Sequence, residues 1–250
     1  MEMIPKLRLF VDADLRPGAA LQLGPEQAHY LLHVMRAEIG TAVALFNGRD
    51  GEWRAQLVGA GKRTAGLAVG EQLRCQAPEP DLWLLFAPVK RDRIDLIVEK
   101  ATELGVGRFC PVLTQHSAVT KVNPERLQAI AIEAAEQSRR LTVPRFEPVR
   151  RLADSLADWP EGRCLLVMDE RGGGEPLVQA LDGLVGARMA VLVGPEGGFA
   201  QSELDALRRL AFAKAVGLGP RILRADTAVA AALSCFQALC GDWRGDKAGS

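Results

Sequence analysis

The chain has 250 residues, 48% of them apolar and 25% charged, and its 31 basic and 31 acidic residues cancel to a formal net charge of zero. This is the composition of an ordinary globular protein with room for one large domain or two smaller ones. It excludes a membrane partner, because no apolar run approaches spanning length, and the N-terminal MEMIPKLRLF lacks the basic start and apolar core of a signal peptide, so a cytoplasmic location is expected. Five cysteines (Cys75, Cys110, Cys164, Cys235, Cys240) are scattered without a C-x-x-C pair beside only three histidines. They read as small core residues, and neither disulfides nor a metal is expected.

In chain order, the first seventy-odd residues read as short strands with tight turns. KLRLFV (6–11) and AALQLG (19–24) are apolar stretches split by Asp, Pro and Gly. PEQAHYLLHVMRAEIG (25–40), with Pro near its start and Ala28, Leu31, Leu32 and Met35 apolar, predicts one short helix. Residues 41–60 predict a hairpin turned at Asn47-Gly48 and Asp50-Gly51, and 64–74 a further strand. Residues 1–74 thus predict a small, mostly-β barrel of RNA-binding size. CQAPEPD (75–81) breaks the pattern with two prolines and two acids and reads as a linker.

From 82 onward strands alternate with helices. LWLLFAPV (82–89) suits a strand buried on both faces. Ile94, Ile97, Val98, Ala101 and Leu104 share one helical face that Gly105 stops. RFCPVLT is the next strand, and the helix over 123–140 opens with Asn123 as N-cap and Pro124 at its first position. CLLVMDE, MAVLVGPEGG and AKAVGLG supply three more strands, and a helix over 227–240, apolar nearly all round, closes the chain. Such alternation predicts a parallel sheet covered on both faces, with ligands beyond the carboxyl ends of its strands. Three loops lie there: 168–175, 194–199 and 217–227. No G-x-G-x-x-G follows a strand and no Walker A sequence exists, which disfavours dinucleotide and P-loop chemistry. A glycine-rich turn alone could be a plain strand-to-helix connection; three at one sheet edge describe a main-chain pocket suited to an adenine and a ribose.

At this point the chain resembles the RsmE family of ribosomal RNA methyltransferases, in the SPOUT class. LVGPEGGF followed by LGPRILRADTA looks like the family's signature pair, HYLLHVMRAEIG and FNGRDGEW resemble its N-terminal domain, and KRDRIDLIVEKATELGV and EAAEQSRRLTVP its central helices. The resemblance implies an α/β fold: a SPOUT-type trefoil-knot catalytic domain (82–250) behind a PUA-like β-barrel (1–74). It implies a homodimer that uses S-adenosylmethionine to methylate N3 of a uridine in 16S ribosomal RNA; the zero net charge points to the assembled small subunit rather than free RNA as the substrate. The family usually carries Thr-Glu where this chain has Ala225-Asp226. An RNA-binding protein with an impaired pocket, or a SPOUT enzyme acting on another RNA position, are the alternatives.

Methylating a uridine N3 requires removing its proton and stabilising charge on O2 and O4. Arg224, in the third pocket loop, is the first candidate for the second task, against a plain salt bridge. Arg8 is next: its strand setting predicts an outward side chain, reaching a partner's pocket in a dimer or merely solvated. Glu196 and Asp226 are candidate proton acceptors, with loop ordering and N-capping of the last helix as their structural alternatives. The loops make Val167, Met168, Gly194, Pro195, Glu196, Gly197, Leu218, Gly219 and Leu223 the expected cofactor contacts. Residues 139–151 hold five arginines against one glutamate, a local charge of +4. Arg8, Lys90, Arg91, Arg93, Arg139, Arg140 and Arg145 are the candidate RNA contacts. His29 and His33 are four apart on one helix, but no third metal ligand accompanies them.

Overall fold

A computed structural model describes residues 5–245. The chain divides into two units, one comprising residues up to Pro78 together with Ala135–Val143, the other Glu79–Ala134 and everything from Pro144.

The first unit contains β1 (Leu7–Phe10), β2 (Ala20–Leu23), α1 (Pro25–His29), β3 (Ala42–Phe46), β4 (Glu52–Ala60) and β5 (Ala65–Arg74). Its sheet runs β1-β3-β4-β5-β2, an open path in which only the β1–β3 pair is parallel. In β4 the period of two sends Ala55 and Leu57 inward and Gln56 and Val58 outward. Leu57 meets Leu9, Leu31, Val43, Leu45 and Leu67 in the core. The β3–β4 turn is built by Asn47, whose Oδ1 accepts from the Arg49 and Asp50 amides and whose Nδ2 donates to Asp50 at 2.6 Å. Gly51 follows at φ +81°, packed so closely on the Arg74 carbonyl that no Cβ fits.

The helix expected over 25–40 is shorter. α1 ends at His29 and one π-turn (Tyr30–Val34) follows, with Arg36 at φ +53°. Only Ala28 and Leu31 are buried in that stretch, too little apolar surface to propagate a regular helix. The His29 and His33 rings lie 5.1 Å apart, both exposed.

Arg8 is corrected most sharply. Its side chain is buried and faces the unit's interior. Nε donates to Glu52 Oε1 at 2.6 Å, Nη1 to the carbonyls of Ala135 (2.6 Å) and Glu136 (3.3 Å), and Nη2 to that of Arg140. The guanidinium also lies 3.7 Å over the Phe46 ring. Arg8 therefore serves carbonyls left over at a helix end, not a pocket. Arg140 is also buried, with Nη2 on Thr142 Oγ1, which contradicts a role as a surface phosphate contact.

The second unit contains β6 (Leu82–Phe86), α2 (Arg91–Glu103), β7 (Arg108–Leu113), α3 (Pro124–Ser138, its last turn counted with the first unit), β8 (Arg145–Phe146), β9 (Arg150–Arg151), α4 (Leu152–Ala157), β10 (Arg163–Met168), β11 (Glu175–Pro176), α5 (Leu177–Ala180), β12 (Arg188–Val193), α6 (Gln201–Arg208), β13 (Ala213–Gly217) and α7 (Ala225–Leu239). The sheet is parallel throughout, ordered β11-β13-β10-β12-β6-β7-β8, with β9 also paired to β7. Its middle strands are buried on both faces, as their unbroken apolar runs require. One face packs Leu85, Leu165, Val167 and Leu192 against Phe199, Leu204 and Leu207. Helix α7 packs on α2 and β12.

Asn123 caps α3 as expected, its Oδ1 accepting from Arg126 N at 2.9 Å, and Gly105 ends α2 at φ +85°. Five short elements (β8, β9, α4, β11 and α5) were absent from the sequence-based expectation. Among the described residues no helix is long and apolar enough to cross a membrane. All five cysteines are free; Cys240 is buried, but Cys75 is exposed and not a core residue.

Candidate active site

Three parallel strands (β10, β12 and β13) end together, and the loops that leave them enclose a cavity of about 320 Å³ against the start of α7. Each loop has its own fastening. After β12, Gly194 lies so close to the buried Phe199 ring that an added Cβ would sit 2.9 Å from it. Gly198 turns at φ +68°, and the Glu170 carboxylate occupies the place a side chain would take. A ring nitrogen of His116 (Nδ1) lies 3.2 Å from the Gly197 carbonyl and 3.1 Å from that of Gly198, so that nitrogen carries the hydrogen.

After β10, the buried Asp169 accepts from Arg171 N at 2.9 Å and pairs with Arg208 at 3.1 Å. Arg171 in turn donates to the Phe199 carbonyl and to Gln201, tying this loop to the β12 loop. Glu203 Oε2 accepts from Ala200 N at 2.9 Å, so the capping box at α6 is half formed, its other half absent because Ala200 offers no side-chain acceptor. After β13, Gly219 takes φ +97° and Arg224 is the extended N-cap residue of α7 without a side-chain cap bond.

Of the residues expected at the pocket, Met168, Gly194, Pro195, Glu196, Leu218, Gly219, Leu223 and Arg224 line it. Val167 does not: the strand's alternation turns it into the sheet core. Gly197 does not either, because it faces His116. Asp226 is off the lining too, in the first turn of α7 and not at its N-cap, with one buried oxygen lacking a hydrogen-bond partner among the described residues. The sequence reading did not name Asp169, Glu170, Gly172, Arg221 and Ile222, although all lie within the two loops it had marked. Arg93, expected to meet RNA, enters the lining from α2.

Charge around the cavity is unevenly satisfied. Asp169 is paired, whereas Arg93, Arg221, Arg224, Glu170 and Glu196 have no side-chain partner among the described residues. Among the described residues the lining holds no cysteine, serine, histidine or lysine. Elsewhere in the unit, burial pushes the Cys110 thiol up to about 12, so it is no thiolate at neutral pH. The site thus combines apolar walls with charged side chains free to meet a ligand.

Of the other candidate RNA contacts, Lys90, Arg139 and Arg145 are exposed, and the side chain of Arg91 lies outside the described residues. The arginine run at 139–151 is divided between the two units. Arg139 and Arg140 belong to the first unit and Arg145, Arg150 and Arg151 to the second, where Arg150 pairs with Asp158 at 2.7 Å.

The pocket at the carboxyl edge of a parallel sheet, in a chain that also carries a small β unit, belongs to an RNA methyltransferase, as two family matches show. The RNA methyltransferase domain family matches residues 76–237, and the RNA methyltransferase PUA domain family matches residues 23–67. The ribosomal RNA small subunit methyltransferase E of Rickettsia conorii is 33% identical over 93% of this chain and 95% of its own length; that of Bacillus subtilis is 30% identical over 89% and 91%. The crystal structure of the Neisseria gonorrhoeae enzyme of that name, bound to S-adenosylmethionine, is similar with a TM-score of 0.87 at 29% identity, covering 95% of this chain and 99% of the other. A putative methyltransferase of Legionella pneumophila, in complex with the same cofactor, gives 0.85 at 28% identity over 96% and 100%. The chain belongs to the ribosomal RNA small subunit methyltransferase E family.

Proposed function

We propose that this protein transfers a methyl group from S-adenosylmethionine to N3 of a uridine in small-subunit ribosomal RNA, with the assembled subunit as substrate. The observation that carries this reading is the pocket at the ends of β10, β12 and β13, in a chain that aligns over nearly its whole length with a relative crystallised with that cofactor.

The lining fits the cofactor. Its volume lies in the small-molecule range. Val193, Val216, Leu218 and Leu223 offer apolar walls for an adenine, and the unpaired Glu170 and Glu196 complement an ammonium and a sulfonium. When bound, S-adenosylmethionine supplies an electrophilic methyl group. Main-chain groups at Gly194, Leu218 and Gly219 hold the ligand, and the loops fastened by Asp169 and Arg171 keep that cradle in place. Arg224 stabilises the charge that spreads over uracil O2 and O4 as N3 loses its proton. The proton goes to Glu196, which lines the pocket, or to Asp226, whose buried oxygen has an open acceptor position.

Outside the pocket, Lys90, Arg139 and Arg145 are exposed cations available to RNA phosphates. Exposed Leu96 on α2, with Leu239 and Trp243 at the end of α7, supports a homodimer, since α2 and α7 pack on each other. A trefoil knot belongs to the same reading; what supports it is β10 lying between β12 and β13 with all three end loops at one pocket. The site of action is the cytoplasm.

The decisive test is methyl transfer from labelled S-adenosylmethionine to purified small subunits lacking the modification, followed by nucleoside mass spectrometry. A 3-methyluridine peak is expected. Label in another nucleoside would move the target, and no transfer at all would leave an RNA-binding protein with an impaired pocket.

Gly219→Ala tests the main-chain cradle. A side chain meets no atom there, but φ +97° strains any non-glycine residue by about 1–2 kcal/mol. The loop should therefore shift, and the dissociation constant for S-adenosylmethionine should rise about tenfold by titration calorimetry. An unchanged constant would remove Gly219 from the site.

A further inference from the structure

Resting on the proposed function, we infer that the pocket's rim is an RNA grip: Arg93 and Arg221 each hold a phosphate beside the target uridine, and Ile222 is the apolar surface on which the extruded base rests. The cavity carries more positive charge than its two expected occupants can neutralise. Three guanidiniums face this cavity with no partner among the described residues. The cofactor brings a single carboxylate, and the deprotonating uracil brings one delocalised negative charge. Two anions cannot satisfy three cations. With the cofactor held by main-chain groups, Glu170 and Glu196 facing its cationic groups and Arg224 facing the uracil, Arg93 and Arg221 are both left for further anions. The RNA strand entering the pocket offers phosphates on both sides of its target, and a planar guanidinium binds a phosphate through two donors at once.

Ile222 adds an apolar surface to this charged rim. It is 81% exposed, the most exposed of the large apolar residues among those described. It lines the pocket between Arg221 and Leu223, on the loop that ends at Arg224. N3 of a paired uridine is engaged in its base pair, so the nucleotide must be extruded to react. An extruded base loses its stacking neighbours, and an aliphatic side chain at the pocket mouth restores part of that contact.

The test uses the full-length protein and small subunits lacking the modification, comparing wild type with Arg93→Ala, Arg221→Ala and Ile222→Ala. All three positions are at least partly exposed, so the fold should survive. Each arginine variant should bind subunits about tenfold more weakly, with the slope of log K against log salt reduced by about 0.7–0.9, while S-adenosylmethionine affinity stays within about twofold. Ile222→Ala should lower subunit affinity about tenfold without changing the salt slope. Weakened cofactor binding with an unchanged salt slope would make the arginines cofactor ligands and overturn the grip. Unchanged subunit affinity in Ile222→Ala, with a shift in oligomeric state by light scattering, would make Ile222 a contact between copies and overturn its assignment. If wild type itself transfers no methyl group to the subunit, the proposed function falls; if wild type transfers normally and the variants match it, only the grip falls.

Discussion

Arg224→Ala should slow methyl transfer about 10²- to 10³-fold, the usual cost of deleting one donor aimed at developing charge. The effect should fall on kcat rather than KM, because uracil carries the charge only once its N3 proton is leaving. The fold should be untouched. Arg224 is exposed and contributes no side-chain cap to α7, so alanine removes no hydrogen bond seen among the described residues. Single-turnover transfer to saturating subunits measures the step directly. Arg224→Lys should recover little, since an ammonium lacks the planar fork that spans two oxygens. A variant with wild-type single-turnover rate would transfer the role to another residue.

Glu52→Gln should destabilise the first unit by about 3–5 kcal/mol, the penalty for breaking a buried ion pair from one side. Glu52 is almost fully buried and holds two guanidiniums: Oε1 accepts from Arg8 Nε at 2.6 Å and from Arg74 Nη2 at 3.0 Å, and Oε2 from Arg74 Nε at 2.8 Å. Arg74 is about a third exposed and water can compensate it, so most of the cost comes from Arg8, buried with its positive charge uncompensated. Burial by itself would raise the Glu52 carboxyl, but Arg74 and Arg8 outweigh it and the net displacement is downward. A carboxyl depressed on folding contributes stability that is present above its ordinary value of 4.5 and lost as pH falls through the lower folded value. Urea unfolding of wild type and variant should therefore converge as pH drops below that ordinary value. A constant gap across the acid range would show that shape, not charge, makes the contribution.

Much of this molecule could be read from local rules. Asn123-Pro124 at a helix start and the positive φ of Gly105 and Gly198 are each explained by one backbone requirement, which needs no partner from afar, and Gly194 by the Phe199 ring five residues on. The three pocket loops were legible for the same reason, as strands ending in glycine-rich turns. What local rules missed depends on distant partners or on too few residues. Arg8 among apolar neighbours looked outward, because strand alternation carries no information about an acceptor at Glu52 or a helix end at Ala135. Arg93 looked like a surface cation, since only the packing of α2 brings it to the sheet's carboxyl edge. Two-residue strands such as β8 and β9 are too short to show any period. Val167 and Gly197 fail by a single position, where alternation or a turn sends one residue of a correct loop the wrong way.

The split membership of α3 bears on how the protein is made. The small unit is complete only when Ala135–Val143 returns to it, bringing the carbonyls that hold Arg8. As the chain leaves the ribosome, its first strands can pair and Arg8, Glu52 and Arg74 can meet as soon as β5 emerges, but the remaining donors of Arg8 wait for the end of α3, after only β6 and β7 of the second sheet have been made. Expressed alone, the N-terminal fragment ending at Pro78 would leave the Arg8 Nη donors without the helix end that receives them, with Glu52 as their remaining partner. Deletion and fusion experiments should cut elsewhere, or carry the 135–143 segment along.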